Sequence, residues 1–369
     1  ELMKFMPIES DETSDISKVL LAKMQKAMSV IQFKLESAAI RRNPGYGMDS
    51  RMIVDTINIG DRTALLGGVR FPLNCSDFPT IGQAGQSLLT KEEEDVIQSL
   101  RTSFMASEKL QRHAKYLLSH GSVYLCYNGN LLMHAGLPID DSLNFREVSL
   151  CGQQLKGKAL LDFIDRKVRQ SFSDEEDEEK DLFWFLWCSP DSPLFGKDKM
   201  ATFERYFIDD KSEHKESTPL FYRHLDDEAL ADALLKEFGL AAAHSHIVCG
   251  HVPVKAGESP IKANGKILCI DLGYSQAYQK ETGLAGCTLT YNSIGLTLML
   301  HEQKKEQGAA EAGPGRDMSD RLVNVEELGM ENRLRVSDTE DGKRMQKEID
   351  RLEMLLEAYS RGTIAQSNG

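Results

Sequence analysis

Apolar positions along this chain follow two rhythms, one helical and one of strands. Between residues 16 and 42, Leu20, Met24, Ala27, Met28, Ile31 and Leu35 recur every three or four positions, predicting a long amphipathic helix that Asn43-Pro44-Gly45 ends. Pro and Gly interrupt the next stretch, to about residue 89, with strand candidates at 51–59 and 64–71. Thr90 and Glu93 form a capping box that opens a helix over 91–105, and a third helix covers 108–118. After Ser119 the rhythm changes: Val123 to Tyr127 and Leu131 to Met133 read as strands around the turn Asn128-Gly129-Asn130. A helix at 156–171, an acidic solvated loop at 173–180 and an apolar strand or short helix at 183–187 follow. Gly239 C-caps a helix over 226–238. Residues 247–249 and 267–271 read as strands, and 287–291 with 296–300 as a hairpin across Asn292-Ser293. A linker rich in Glu, Gly and Ala at 303–316 leads to a charged helix at 339–360. Met345, Ile349, Leu352, Leu355 and Leu356 form a stripe on it, a face that docks on the same chain or on a partner subunit, so a homo-oligomer formed through this helix is an expectation.

Composition narrows the classes. The 369 residues are 41% hydrophobic, enough for a sizeable core, and the net charge of −13 argues against binding nucleic acid or an anionic membrane. No apolar run approaches the roughly 18 residues of a membrane span. Seven cysteines are scattered without CxxC or CxxH spacing, which makes disulfide or zinc frameworks unexpected and fits a reducing, cytoplasmic setting. An acidic chain that handles phosphate must gather local cations or a metal to do so.

His134 and His251 stand out because each directly follows an apolar strand and borders or nears a glycine. Residues at the carboxyl ends of strands project into the crevice where α/β folds bind ligands, and imidazole ligates Mn, Fe or Zn. The nearby glycines suggest close approach of a metal or phosphate to the backbone. The run VYLCYNGNLLMHAGLP at 123–138 resembles the strand-turn-strand-His motif of calcineurin-like metallophosphoesterases, followed by LWCSPD at 186–191 and Gly250-His251-Val252-Pro253. Long segments at 192–207, 250–302 and 348–362, with 23–36 and 104–138, narrow the resemblance to class III fructose-1,6-bisphosphatases over nearly the whole chain.

That resemblance implies an α/β fold: part of a two-sheet metallophosphatase sandwich flanked by helices. The expected division is a mostly helical insertion over 1–120, the C-terminal half of the core over 121–305, and a linker with tail helix over 306–369. It implies hydrolysis of fructose 1,6-bisphosphate in gluconeogenesis, with Mn2+ as cofactor and His134 and His251 as ligands of one ion of a two-metal site. Lys262, Arg205, Lys255 and Lys197 are candidate substrate contacts, since cations in Gly-rich loops cradle phosphate. Leu272 and Ser189 stand where the family pattern has glycine. The superfamily's Asp-x-His, Gly-Asp-x-x-Asp-Arg and Gly-Asn-His-Asp motifs are not found, so no catalytic residue is assigned within the chain. The expectation is the C-terminal portion of a longer enzyme, with little activity alone. Other readings are a related metallophosphatase, acting on a dinucleoside polyphosphate or a phosphoprotein, and a non-catalytic truncated module.

Overall fold

The computed structural model describes residues 2–7, 17–82, 87–172, 177–241, 244–275, 277–303, 318–327 and 333–364. In chain order its elements are α1 (Lys18–Arg42), β1 (Thr63–Leu66), β2 (Val69–Pro72), α2 (Lys91–Ala106), α3 (Glu108–His120), β3 (Tyr124–Tyr127) and β4 (Asn130–Met133). Then come β5 (Val148–Leu150), β6 (Gln153–Leu155), α4 (Gly157–Ser171), α5 (Asp177–Cys188), α6 (Thr202–Phe207), α7 (Leu220–Arg223) and α8 (Glu228–Glu237). The last are β7 (Ile247–Cys249), β8 (Ile261–Lys262), β9 (Ile267–Cys269), α9 (Gln279–Thr282), β10 (Leu284–Asn292), β11 (Gly295–Gln303), β12 (Met318–Glu327) and α10 (Glu340–Ser360). The fold is mixed α/β. Its contacts divide it into two units, Glu1–Val123 with Gly136–Arg223, and Tyr124–Ala135 with His224–Gly369.

The first unit is organised by α1. Ser17 caps it, its hydroxyl accepting from the Leu20 amide. The helix forms where the apolar spacing predicts, but the buried face differs. Leu20, Met24, Met28 and Leu35 are exposed, while Ala22, Lys26, Val30, Phe33, Lys34 and Ile40 are buried. The reason is that the two lysines find oxygen partners inside. Lys34 Nζ lies 2.8 Å from Glu93 Oε2 and 3.0 Å from the Thr80 carbonyl, and Lys26 donates to the Asp77 carbonyl at 2.5 Å. Two aromatic-rich clusters complete this unit, one around Phe33, Phe78, Phe203 and Phe207, the other around Tyr46, Phe163 and Phe185. Residues 51–59 form short 3-10 turns rather than a strand, and β1 pairs with β2 as a hairpin. Residues 173–176 of the acidic run lie outside the described residues; 177–180 begin α5 instead of a loop, continuing through the apolar 183–187.

The second unit holds a five-stranded sheet in the order β3-β4-β7-β9-β8 and a three-stranded antiparallel sheet, β10-β11-β12. In the first, β4, β7 and β9 run parallel, with Leu131 and Leu132 facing Ile247 and Val248, and Cys249 facing Cys269. Leu131, Ile247 and Ile267 are fully buried, as expected for parallel strands covered on both faces. Sequence periodicity misses β12 because Met318–Glu327 has no strict alternation, with Asp320 beside Arg321 and Leu322 beside Val323; residues 304–317, most of the linker before it, lie outside the described residues. None of the seven cysteines is disulfide-bonded. No helix of the described residues is long and apolar enough to cross a membrane.

Candidate functional site

Three parallel strands end side by side, and the polar groups follow immediately. The ladder runs past the strands: the Gly250 amide donates to the His134 carbonyl at 3.0 Å, and the Ile270 amide to the Cys249 carbonyl at 2.8 Å. His134, His251 and Asp271 are thereby lined up at the carboxyl edge of β4, β7 and β9. This is the edge where open α/β sheets bind ligands.

The two imidazoles meet. His134 Nε2 and His251 Nδ1 are 2.8 Å apart, with ring centroids at 4.6 Å. One ring's N–H donates to the lone pair of the other, so at least one ring nitrogen of the pair is a base aimed at its neighbour. Burial, then the charge of His251, push the His134 imidazole below its ordinary value, and the nearby Asp271 carboxylate offsets only part of this. A neutral imidazole is the form that ligates metal.

His251 is held under strain. Its φ is +68°, and the Val252 amide donates to the Gly250 carbonyl at 2.8 Å, closing a three-residue turn of the rare strained hand. A non-glycine residue in this region costs of order 1–3 kcal/mol and persists where its surroundings impose it, commonly at functional sites. The loop beyond is tied back, the Val254 amide donating to the Asp271 carbonyl at 3.0 Å.

The glycine beside His134 has a different role from the one its sequence context suggests. A Cβ on Gly136 would lie 2.0 Å from the Phe221 ring, so Gly136 is demanded by packing, not by ligand approach. Gly250 has only ordinary neighbours at 3.7 Å. Leu272 is buried, and the following Gly273 carries the positive φ of +66°, with Thr282 and Tyr278 where its Cβ would be. Ser189 is fully buried, its hydroxyl accepting from the Asp191 amide at 3.2 Å.

The candidate cations are scattered. Lys255 is exposed in the loop that leaves His251. Lys262, paired in register with Ile267, stands at the opposite end of β9 from Asp271, and its Nζ is 3.2 Å from Asp226 Oδ2. In the first unit Lys197 and Arg205 share the Glu216 carboxylate, at 2.6 and 3.3 Å. Asp271 is the residue that sequence reasoning leaves without a role. Its signal is related to the one that marked the histidines, a polar side chain two residues beyond a buried parallel strand.

An α/β sheet that presents two convergent imidazoles from adjacent strand ends has the donor chemistry of a transition-metal site. The chain belongs to the Firmicute fructose-1,6-bisphosphatase family, whose model matches residues 1–361. It is 46% identical to the class 3 fructose-1,6-bisphosphatase of Clostridium botulinum (strain Kyoto / Type A2) over 356 residues, covering 95% of this chain and 53% of the relative. It is 46% identical to that of Clostridium acetobutylicum over 367 residues, covering 97% of this chain and 55% of the relative. The chain thus spans about half the length of the curated relatives it matches. No solved structure matches it.

The residues fit a cation in part. Two imidazole nitrogens already converge, yet no group of three or more His, Cys, Asp or Glu side chains that could hold a metal ion is gathered among the described residues. A hard divalent cation requires oxygen ligands in addition.

Proposed function

We propose that this protein serves as a divalent-metal phosphatase that converts fructose 1,6-bisphosphate to fructose 6-phosphate and phosphate, in gluconeogenesis in the cytoplasm, with Mn2+ as its ion. The family and the names of its relatives support the substrate. The observation that carries the chemistry is the 2.8 Å approach of His134 Nε2 to His251 Nδ1 at adjacent strand ends. In this reading both sheets of the second unit are part of a two-sheet metallophosphatase sandwich.

When bound, the cation supplies charge stabilisation to the phosphoryl oxygens in the transition state. His134 and His251 hold it through their neutral nitrogens. The strained turn at His251 fixes the direction of its ring, so the ligand geometry is set before the cation arrives. Asp271 adds negative charge beside the pair. Lys255 is the preferred phosphate contact of the four candidate cations, because it lies on the loop leaving His251. Lys262, Arg205 and Lys197 must each give up an ion pair to reach a phosphate.

The test is Mn2+-dependent phosphate release from fructose 1,6-bisphosphate, by the 369-residue chain and by a protein extended to the length of its relatives. The extended protein should be active only with a divalent cation, and His134→Ala or His251→Ala should each lower kcat/KM by about 100-fold or more. The shorter chain should release little phosphate, since no group of three or more ligating side chains is gathered among its described residues. Activity in the extended protein untouched by either substitution overturns the metal site. A higher kcat/KM for a dinucleoside polyphosphate or a phosphopeptide overturns the substrate.

A further inference from the structure

The helix α10 is anchored at one end and bare along the rest. Thr339 caps it, its hydroxyl accepting from the Gly342 amide at 3.0 Å. Glu340 and Asn128 exchange backbone-to-side-chain hydrogen bonds at 2.8 and 3.0 Å, and the Tyr127 hydroxyl donates to Asp341 at 2.8 Å. Beyond Gly342 every residue to Ser360 is exposed except Ala358, which is half-buried. The exposed set includes Met345, Ile349, Leu352, Leu356 and Tyr359.

These five are spaced four, three, four and three, the a/d repeat of a coiled coil, with Ile349 and Leu356 at a and Met345, Leu352 and Tyr359 at d. A seam of this period fits the a/d seam of another helix. The flanking residues select which helix and which direction. In a parallel pair Glu348 of one chain would face Glu353 of the other, a like-charge clash. In an antiparallel pair with Ile349 against Leu352 of the second copy, Met345 faces Leu356, so four of the five apolar positions meet across the seam, while Gly342, opposite Tyr359, is already covered by Val336 and Ser337 of its own chain. Gln346 then faces Glu353, and Glu348 faces Leu355. The acidic start of the helix, Glu340 and Asp341, meets the basic end at Arg361, and the helix dipoles oppose. Shifting the antiparallel register by one heptad either way sets Glu353 against Glu353 or Glu348 against Glu348.

We infer that α10 pairs with α10 of a second copy of this chain as a two-fold antiparallel coiled coil. This goes beyond the phosphatase reading and its test does not involve activity. Sedimentation equilibrium of the whole chain should give a concentration-dependent dimer. Ile349→Asp combined with Leu356→Asp, both on solvent-exposed positions, should weaken dimerisation by 100-fold or more while leaving the circular dichroism of the monomer essentially unchanged. Glu353→Lys should leave the dimerisation constant within about threefold, since its antiparallel neighbour is the neutral Gln346. A wild-type chain that stays monomeric at high concentration overturns the inference. So does a dimer insensitive to the double substitution, or one that dissociates instead on Phe104→Asp with Leu117→Asp, which moves the contact to the α2–α3 hairpin. Tightening by Glu353→Lys, through a new attraction to Glu348 of the other chain, overturns the antiparallel direction.

Discussion

The two units treat charged and titratable groups in opposite ways. In the first, charges go inside and are paired. Lys34 is fully buried against Glu93, and the fully buried Glu204 takes both arms of Arg51, at 2.5 and 3.1 Å, with Lys199 at 3.5 Å. In the second, two imidazoles are aimed at each other at a strand edge, with the Asp271 carboxylate nearby. A buried pair is costly to break because the remaining charge is stranded, and so it holds a structure together. Imidazole nitrogens directed at one another at a strand edge form a single hydrogen bond, a smaller contribution to folding than a buried ion pair. The contrast separates the cations held in buried ion pairs from the imidazoles proposed to hold a cation.

Breaking the buried network should have the largest effect. Lys34→Ala strands the Glu93 carboxylate and should destabilise the first unit by about 3–5 kcal/mol, read as a lowered denaturant midpoint. A loss under about 1 kcal/mol would mean that the pair is not desolvated as its geometry indicates. His251→Gly should do the reverse in the second unit. Removing the Cβ relieves the positive φ, so stability should hold or rise by about 1 kcal/mol while cation binding is lost. A variant that is destabilised by several kcal/mol would make His251 a structural residue. The smallest effect is on acid stability. Burial raises the Glu93 and Glu216 carboxyls, but hydrogen bonds and charge from Lys34, Thr80 and Thr90 at Glu93, and from Lys197, Ala201 and Arg205 at Glu216, hold both below their ordinary 4.5. A depressed folded value favours the native state above pH 4.5, and that contribution is lost as the pH falls through the lower folded values. Glu216→Gln should therefore flatten the acid limb of a stability-against-pH curve, and an unaltered limb would contradict the assignment.

The sequence pattern carried the site further than the packing. His134 and His251 are legible because a polar residue after a run of buried apolar ones marks a strand end, and parallel pairing then brings such ends together. Helix ends were equally legible where capping chemistry is local, as at Thr90, whose box with Glu93 forms as predicted. What periodicity cannot see is partnership across long separations. Lys34 and Lys26 find their oxygen partners dozens of residues away, so the spacing of apolar residues alone did not show which face of α1 is buried. Gly136 was read as room for a ligand because Phe221, which requires it, is equally distant in sequence. The same limit hid β12, whose register exists only against β11.

The central claim, that His134 and His251 share one cation, is tested most directly by titrating the 369-residue chain with Co2+ and following its visible absorption. The account predicts one site per chain, weakened tenfold or more by His134→Ala and by His251→Ala, with the double variant little worse than either alone because the two act as one unit. Binding that is unchanged by both substitutions, or that each weakens independently at a separate site, would contradict it.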